Sequence, residues 1–263
     1  VCSRGRRNML EALKVIFLGI VEGITEWLPI SSTGHLILVE EFVKLSLRHE
    51  FVEMFNVVIQ FGAILAVILI YFNKLNPFSA KKSEKQKMMT IQLWIKVIIA
   101  TLPAMVIGLL FDDFVDKHFM NAYVVAAMLI IYGILFIIIE KKHEGVTPQA
   151  TKLSQLTIPM ALAIGGFQVL AMIPGTSRSG ATILGGLIIG ASRSVAAEFT
   201  FFLAIPVMFG WSLLKMLKFG FAFTGQEFLL LLLGCVVSFV VSIFVIKFLM
   251  QYIKKHDFKV FGY

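Results

Sequence analysis

Gly19-Ile20-Val21-Glu22-Gly23-Ile24-Thr25-Glu26-Trp27-Leu28-Pro29-Ile30-Ser31-Ser32-Thr33-Gly34-His35 is the stretch on which the reading of this chain turns. It is the second half of an apolar helix that opens near Met9, and it carries two carboxylates four residues apart. That spacing sets Glu22 and Glu26 on one helical face, one turn apart. Like charges so placed repel, and an ionised group at hydrocarbon depth costs roughly 3 kcal/mol or more. A greasy segment keeps such a pair where a cation sits between them, most simply a divalent metal. Pro29 then ends the helix, because the residue before a proline is pushed out of the α region. Ser31, Ser32, Thr33, Gly34 and His35 follow, with three hydroxyls, a flexible backbone and one imidazole. A phosphate-sized set of donors thus lies beside a metal-sized pair of carboxylates.

Working outward, the composition fixes the class. The chain has 263 residues, 58% hydrophobic and 15% charged, with a mean hydropathy of +0.88. Soluble domains run near about 45–50% apolar and about 25% charged. Several apolar runs long enough to cross hydrocarbon make this an all-α polytopic membrane protein. The net charge of +8 resides in loops between those runs. That is the positive-inside pattern with attraction to anionic lipid, and it argues against a nucleic-acid partner. Two cysteines, Cys2 and Cys235, give neither a disulfide framework nor a metal spacing. Residues 1–8 read as a leader or remnant, with no small-residue cleavage site after them. The remainder, 9–263, reads as one integral membrane domain.

In order, the helix from Met9 to Ile30 stops at the Pro29 loop. A helix from Leu36 to Leu45, carrying Glu40 and Glu41, is too short to span. Helix, polar loop and short helix together read as a re-entrant hairpin, buried in protein or lining a wet cavity. Full spans are expected at Phe51–Phe72, with Gln60 and Gly62 facing a neighbour, at Met88–Phe111 around Pro103, and at Ala122–Ile139. The lysine-rich loops 73–87 and 141–152 are expected in the cytoplasm, and an acidic loop of Asp112, Asp113 and Asp116 outside. A second apolar unit, Leu153–Ile173, ends at Pro174-Gly175-Thr176-Ser177-Arg178-Ser179-Gly180, followed by a short helix Ala181–Ala191. Spans at Ala196–Leu217, around Pro206, and Glu227–Gln251 complete the chain, with a basic tail of Lys254, Lys255 and Lys259. Lys215 and Lys218 then fall on the outer side, against the lysine rule.

The halves repeat: apolar helix, Pro–hydroxyl–Gly loop, short helix, spans. Repeat one is 9–111, repeat two 153–251, and the linking helix 122–139 makes the second copy enter from the opposite side. The expectation is an inverted-topology repeat, with Pro29 laid over Pro174 and two re-entrant hairpins among about five or six full transmembrane helices.

Three constellations carry chemistry. Glu22 and Glu26 are hard oxygen ligands suited to Mg2+ or Ca2+ shared with a substrate phosphate. Arg178 is expensive at membrane depth unless it meets an anion, and its fork matches phosphate oxygens. Thr176, Ser177, Ser179 and the amides near Gly175 and Gly180 surround it at a helix start, where anions bind. Arg178 can equally pair with Glu22 or Glu26 as an internal lock. His35 or Ser32 supplies the nucleophile or moves the proton, Ser32 being activated by His35 or Glu26; spacing does not choose between them. Gly19/Gly23 and Gly186/Gly190 read as helix-packing pairs. Without a P-loop, ATP-driven transport has no support.

With those residues in view, the chain resembles the undecaprenyl pyrophosphate phosphatase family of bacterial inner membranes, the bacitracin-resistance proteins. The resemblance rests on VEGITEWLPISSTGH (21–35) and PGTSRSG (174–180), and extends from FNVVIQFGAILAV (55–67) to FKVFGY (258–263). Residues 1–8 are foreign to the pattern. The resemblance implies that Glu22 and Glu26 bind the divalent cation, and that Ser31, Ser32, Thr33, His35, Ser177, Arg178, Ser179 and Thr182 complete the site. It implies removal of the terminal phosphate from a C55 prenyl pyrophosphate, recycling the carrier of cell-wall precursors. The expected partners are that lipid and the membrane, with a homodimer allowed. Another lipid phosphatase superfamily, with two catalytic histidines, is also echoed, yet no histidine lies between Arg178 and His256. The alternative function is a polyprenyl phosphate transporter, since inverted repeats with broken helices are a carrier architecture.

Overall fold

The computed structural model describes residues 2–119, 121–220 and 222–263. Its helices are α1 (Cys2–Thr25), α2 (Ser32–Glu40), α3 (His49–Val58), α4 (Gln60–Ile70), α5 (Phe72–Leu75), α6 (Glu84–Phe119), α7 (Ala122–Lys142), α8 (Ile158–Val169), α9 (Arg178–Ile188), α10 (Arg193–Phe219), α11 (Gly225–Tyr252) and α12 (Lys259–Gly262). Among the described residues there is no strand. Five segments are long and apolar enough to cross a membrane: His49–Ile70, Glu84–Phe111, Ala122–Lys142, Arg193–Phe219 and Gly225–Tyr252. These are the five expected spans, and they make the chain a multi-pass helical protein. Large apolar side chains cover its outside, including Leu109, Leu110, Leu229 and Phe244. The centre is packed with Trp27, Phe199, Phe201 and Phe202.

Several boundaries differ from the sequence reading. Residues 2–8, set aside as a leader, continue the first helix. α1 ends at Thr25 rather than Ile30: Glu26 N–H still donates to the Glu22 carbonyl at 3.0 Å, and the chain unwinds over the residues leading into Pro29. The Ser–Thr–Gly–His run is not a loop but the first turn of α2. α9 likewise starts at Arg178 rather than Ala181. The second apolar unit opens with a short 3-10 turn, Leu153–Gln155, and its α-helix starts only at Ile158, where Thr157 caps it and Pro159 occupies its first turn. The expected acidic loop is helical, α6 running to Phe119 with no glycine or proline after Phe111 to stop it; the side chains of Asp112, Asp113 and Asp116 lie outside the described residues. The basic tail is docked: Phe258 is fully buried against Phe136, and its N–H donates to Glu140 Oε1 at 3.0 Å.

Packing places the two short helices. α1 lies along α11, and α8 lies along α6. A first side-chain carbon at Gly23 would stand 2.8 Å from Val241 Cβ and 2.9 Å from the Ser238 carbonyl oxygen; one at Gly165 would strike the Ala100 carbonyl oxygen. Gly62 faces α11 in the same way, against the Cys235 carbonyl. Gly186 meets Ala196, whereas Gly190 serves a turn at φ +99° rather than a packing seam.

The ends of α2 and α9 are built alike. Ser31 caps α2 by accepting Gly34 N–H at 3.2 Å, and Ser177 caps α9 by accepting Gly180 N–H at 3.0 Å. The prolines do not share that register: the cap follows Pro29 by two residues and Pro174 by three. The extra residue is accommodated at Gly175, where φ is +89° and the backbone lies against Val125 too closely for any side chain.

Candidate active site

The two helix starts meet. Arg178 Nη2 donates to Glu26 Oε1 at 2.8 Å, and Ser32 Oγ donates to Glu26 Oε2 at 2.6 Å. Both oxygens of one buried carboxylate therefore serve a guanidinium from α9 and a hydroxyl from α2. Arg178 Nη1 also donates to the Thr200 carbonyl at 3.3 Å, a second contact of the guanidinium, to α10. Beside them, Ser179 Oγ donates to the Leu28 carbonyl at 3.2 Å, bridging the same two segments. Ser177 Oγ lies 3.1 Å from Ser179 Oγ. Because the Leu28 carbonyl can only accept, the hydroxyls run in one direction, from Ser177 through Ser179 to Leu28. Thr182 donates to the Arg178 carbonyl at 3.0 Å and accepts from Thr200 Oγ1 at 2.8 Å. Trp27, between Glu26 and Leu28 in the chain, is fully buried and packs edge-to-face with Phe201, ring centroids 5.2 Å apart.

Glu22 is different. It is fully buried, within interaction range of Glu26 and Arg178, yet neither of its oxygens has a hydrogen-bond partner. A buried carboxylate left so is costly. Two free oxygens beside a second carboxylate, whose own oxygens keep spare lone pairs, form a hard-donor set that fits Mg2+ or Ca2+. His35 Nδ1 donates to the Ser31 carbonyl at 2.8 Å, which leaves Nε2 as the basic ring nitrogen. That ring bonds no member of the cluster. Ser31 holds both His35 and Gly34 from a strained backbone, φ +68°, the sole non-glycine positive φ among the described residues. Thr33 is exposed and stands outside the bonded cluster, and the buried Thr176 hydroxyl has no partner.

Sequence reasoning named Glu26, Ser32 and Arg178, which the fold brings into contact. It missed Thr200 and the Leu28 carbonyl. Thr200 sits in an apolar run with nothing local to mark it, and a backbone carbonyl carries no sequence signal.

Residues 15–263 match the family described as Bacitracin resistance protein BacA. An undecaprenyl-diphosphatase of Enterococcus faecalis is 62% identical over 253 residues, 95% of this chain and 92% of that protein. One of Acetivibrio thermocellus is 62% identical over 255 residues, 97% of this chain and 94% of that protein. Undecaprenyl-diphosphatase 1 of Clostridioides difficile is 60% identical over 256 residues, 97% of this chain and 93% of that protein. With the family's match spanning both helix starts and nearly all of the chain between and beyond them, the chain belongs to the bacitracin resistance protein BacA family.

Proposed function

We propose that this chain is an undecaprenyl-diphosphate phosphatase of the bacterial plasma membrane, releasing the terminal phosphate and returning the lipid monophosphate to cell-wall synthesis. The single observation that carries the mechanism is the Ser32–Glu26–Arg178 chain of hydrogen bonds, 2.6 and 2.8 Å long. Ser32 Oγ attacks the terminal phosphorus while its proton passes to Glu26 Oε2. The bond from that phosphorus to the bridging oxygen breaks, and the electron pair leaves with the prenyl monophosphate. Arg178 turns from Glu26 to fork the transferring phosphoryl group, whose equatorial charge it offsets. Water then cleaves the phosphoserine ester: His35 Nε2 takes the water proton, and Glu26 returns its proton to Ser32. Glu22 and Glu26 would hold Mg2+ or Ca2+, which when bound neutralises charge on the phosphate oxygens.

The re-entrant, inverted-repeat arrangement belongs to this proposal. It is supported by the matched serine caps and by the exchange of partners, α1 along α11 and α8 along α6. The same exchange also suits a carrier that moves polyprenyl phosphate between leaflets. Purified protein in detergent separates the readings, because phosphate release there needs no second leaflet. Rapid quenching identifies the nucleophile: an acid-stable phosphoryl adduct lost in Ser32→Ala supports Ser32, an acid-labile one assigns His35. No release from undecaprenyl diphosphate, with or without divalent metal, refutes the phosphatase reading.

A further inference from the structure

Gln168 lies in the last turn of α8, 2% exposed, and neither its amide oxygen nor its amide nitrogen has a hydrogen-bond partner. An apolar side chain of equal size would escape that desolvation penalty, so the amide needs a reason to be there. Its place in the chain supplies one. Gln168 stands nine residues before the cap Ser177, as Glu22 stands nine before the cap Ser31. Each follows by three residues a glycine at which an added side-chain carbon would press on a neighbouring helix's carbonyl, Ala100 for Gly165 and Gly234 for Gly19. Within each helix, the equal three-residue offset from the packing glycine sets Gln168 and Glu22 at the same angle to their own seam. In the first helix that angle faces Glu26 and Arg178.

We infer that Gln168 is the counterpart of Glu22 on the second side of the site and binds the substrate's diphosphate, its amide N–H donating to a phosphate oxygen. The assignment rests on the phosphatase reading and on the matched arrangement of the two helix ends. The chemistry is complementary. A carboxylate can face a phosphate only through a cation, whereas a neutral amide donates directly and adds no charge to desolvate.

The test is Gln168→Met, near-isosteric and apolar, assayed in detergent on undecaprenyl diphosphate. KM is expected to rise about tenfold with kcat within about threefold of wild type, the pattern of lost ground-state binding. The thermal midpoint without substrate should hold or rise, because the unmet amide has gone. Gln168→Glu, which sets a like charge beside the phosphate, should raise KM further. An unchanged KM overturns the assignment. So does a lowered midpoint with unchanged kinetics, which is the signature of a structural polar group. Wild-type protein that releases no phosphate defeats the phosphatase reading alone; equilibrium titration of wild type and Gln168→Met with undecaprenyl diphosphate then decides Gln168 by itself, equal affinities overturning it.

Discussion

Counted from their cap serines, the ends of the two helix pairs can be laid side by side. Glu22 falls on Gln168, Glu26 on Met172, Ser32 on Arg178, and Gly34 on Gly180. The backbone device is common to both: a helix, a turn behind a proline, and a serine that caps a second short helix. The chemistry is not. The first end carries carboxylates and a hydroxyl, the second an amide, a thioether and a guanidinium. Identical ends would bring like charges together where little water screens them, and would repel. Opposite ends attract, and the Glu26–Arg178 bond at 2.8 Å is where they do so. Two similarly capped helix starts with unlike side chains thus meet in one bonded cluster that neither end could form alone.

The largest expected effects come from removing the groups that differ across that contact. Ser32→Ala and Glu26→Gln should each lower kcat by about 10³-fold or more, as loss of a nucleophile or its base does elsewhere. Arg178→Lys keeps the charge but loses the fork, and should lower kcat by about 10²-fold. Phosphate-release kinetics on folded, monodisperse protein measure all three. Wild-type turnover in Arg178→Ala would end the assignment of that residue.

Glu22→Gln makes the first end copy the second at one position. The expected result is a shift of at least about tenfold in the Mg2+ or Ca2+ concentration giving half activity, with folding retained. Removing the isolated carboxylate should leave the thermal midpoint unchanged or higher. Full activity of wild type in excess chelator would remove the metal from the site and leave Glu22 without the role given it.

Packing offers a smaller, more even-handed comparison. Gly165→Ala drives a methyl into the Ala100 carbonyl, whereas Gly19→Ala places one 3.0 Å from the Gly234 carbonyl and from Val237 Cβ. Both should destabilise by about 1–3 kcal/mol, Gly165 the more, in reversible unfolding from mixed micelles. Loss at one seam alone would show that the two helices are not held by equivalent contacts.

The same contrast explains how much the sequence disclosed. The five spans were legible because hydropathy alone defines a crossing helix. The Glu26–Arg178 contact was legible because charge inside apolar sequence demands a partner. The helix starts at Ser32 and Arg178 were misread as loop, since serine and threonine favour loops and caps alike and only the partner N–H distinguishes them. The Pro29-on-Pro174 overlay was off by one residue for a related reason: proline marks where a helix ends, while the cap marks where the next begins. The docked tail, with Phe258 on Glu140, could not be read at all, because its anchor is 118 residues away.

The caps themselves give the finest test. Ser31 and Ser177 make the same hydrogen bond, so replacing either with alanine should cost about 1 kcal/mol through loss of the cap. Ser31 alone pays an added strain, φ +68° against φ −67° at Ser177. Glycine removes the hydroxyl but relieves that strain, and at an N-cap it costs only a few tenths of a kcal/mol. Ser31→Gly should therefore be at least as stable as wild type, whereas Ser177→Gly should be slightly less stable. Activity should separate them the other way, because only Ser31 also holds His35 Nδ1, and a glycine there loosens the carbonyl that aims the ring. A Ser31→Gly protein that is more stable but slower would mean that strain at the first cap is kept for positioning His35; equal behaviour of the two glycine variants would mean the positive φ is incidental.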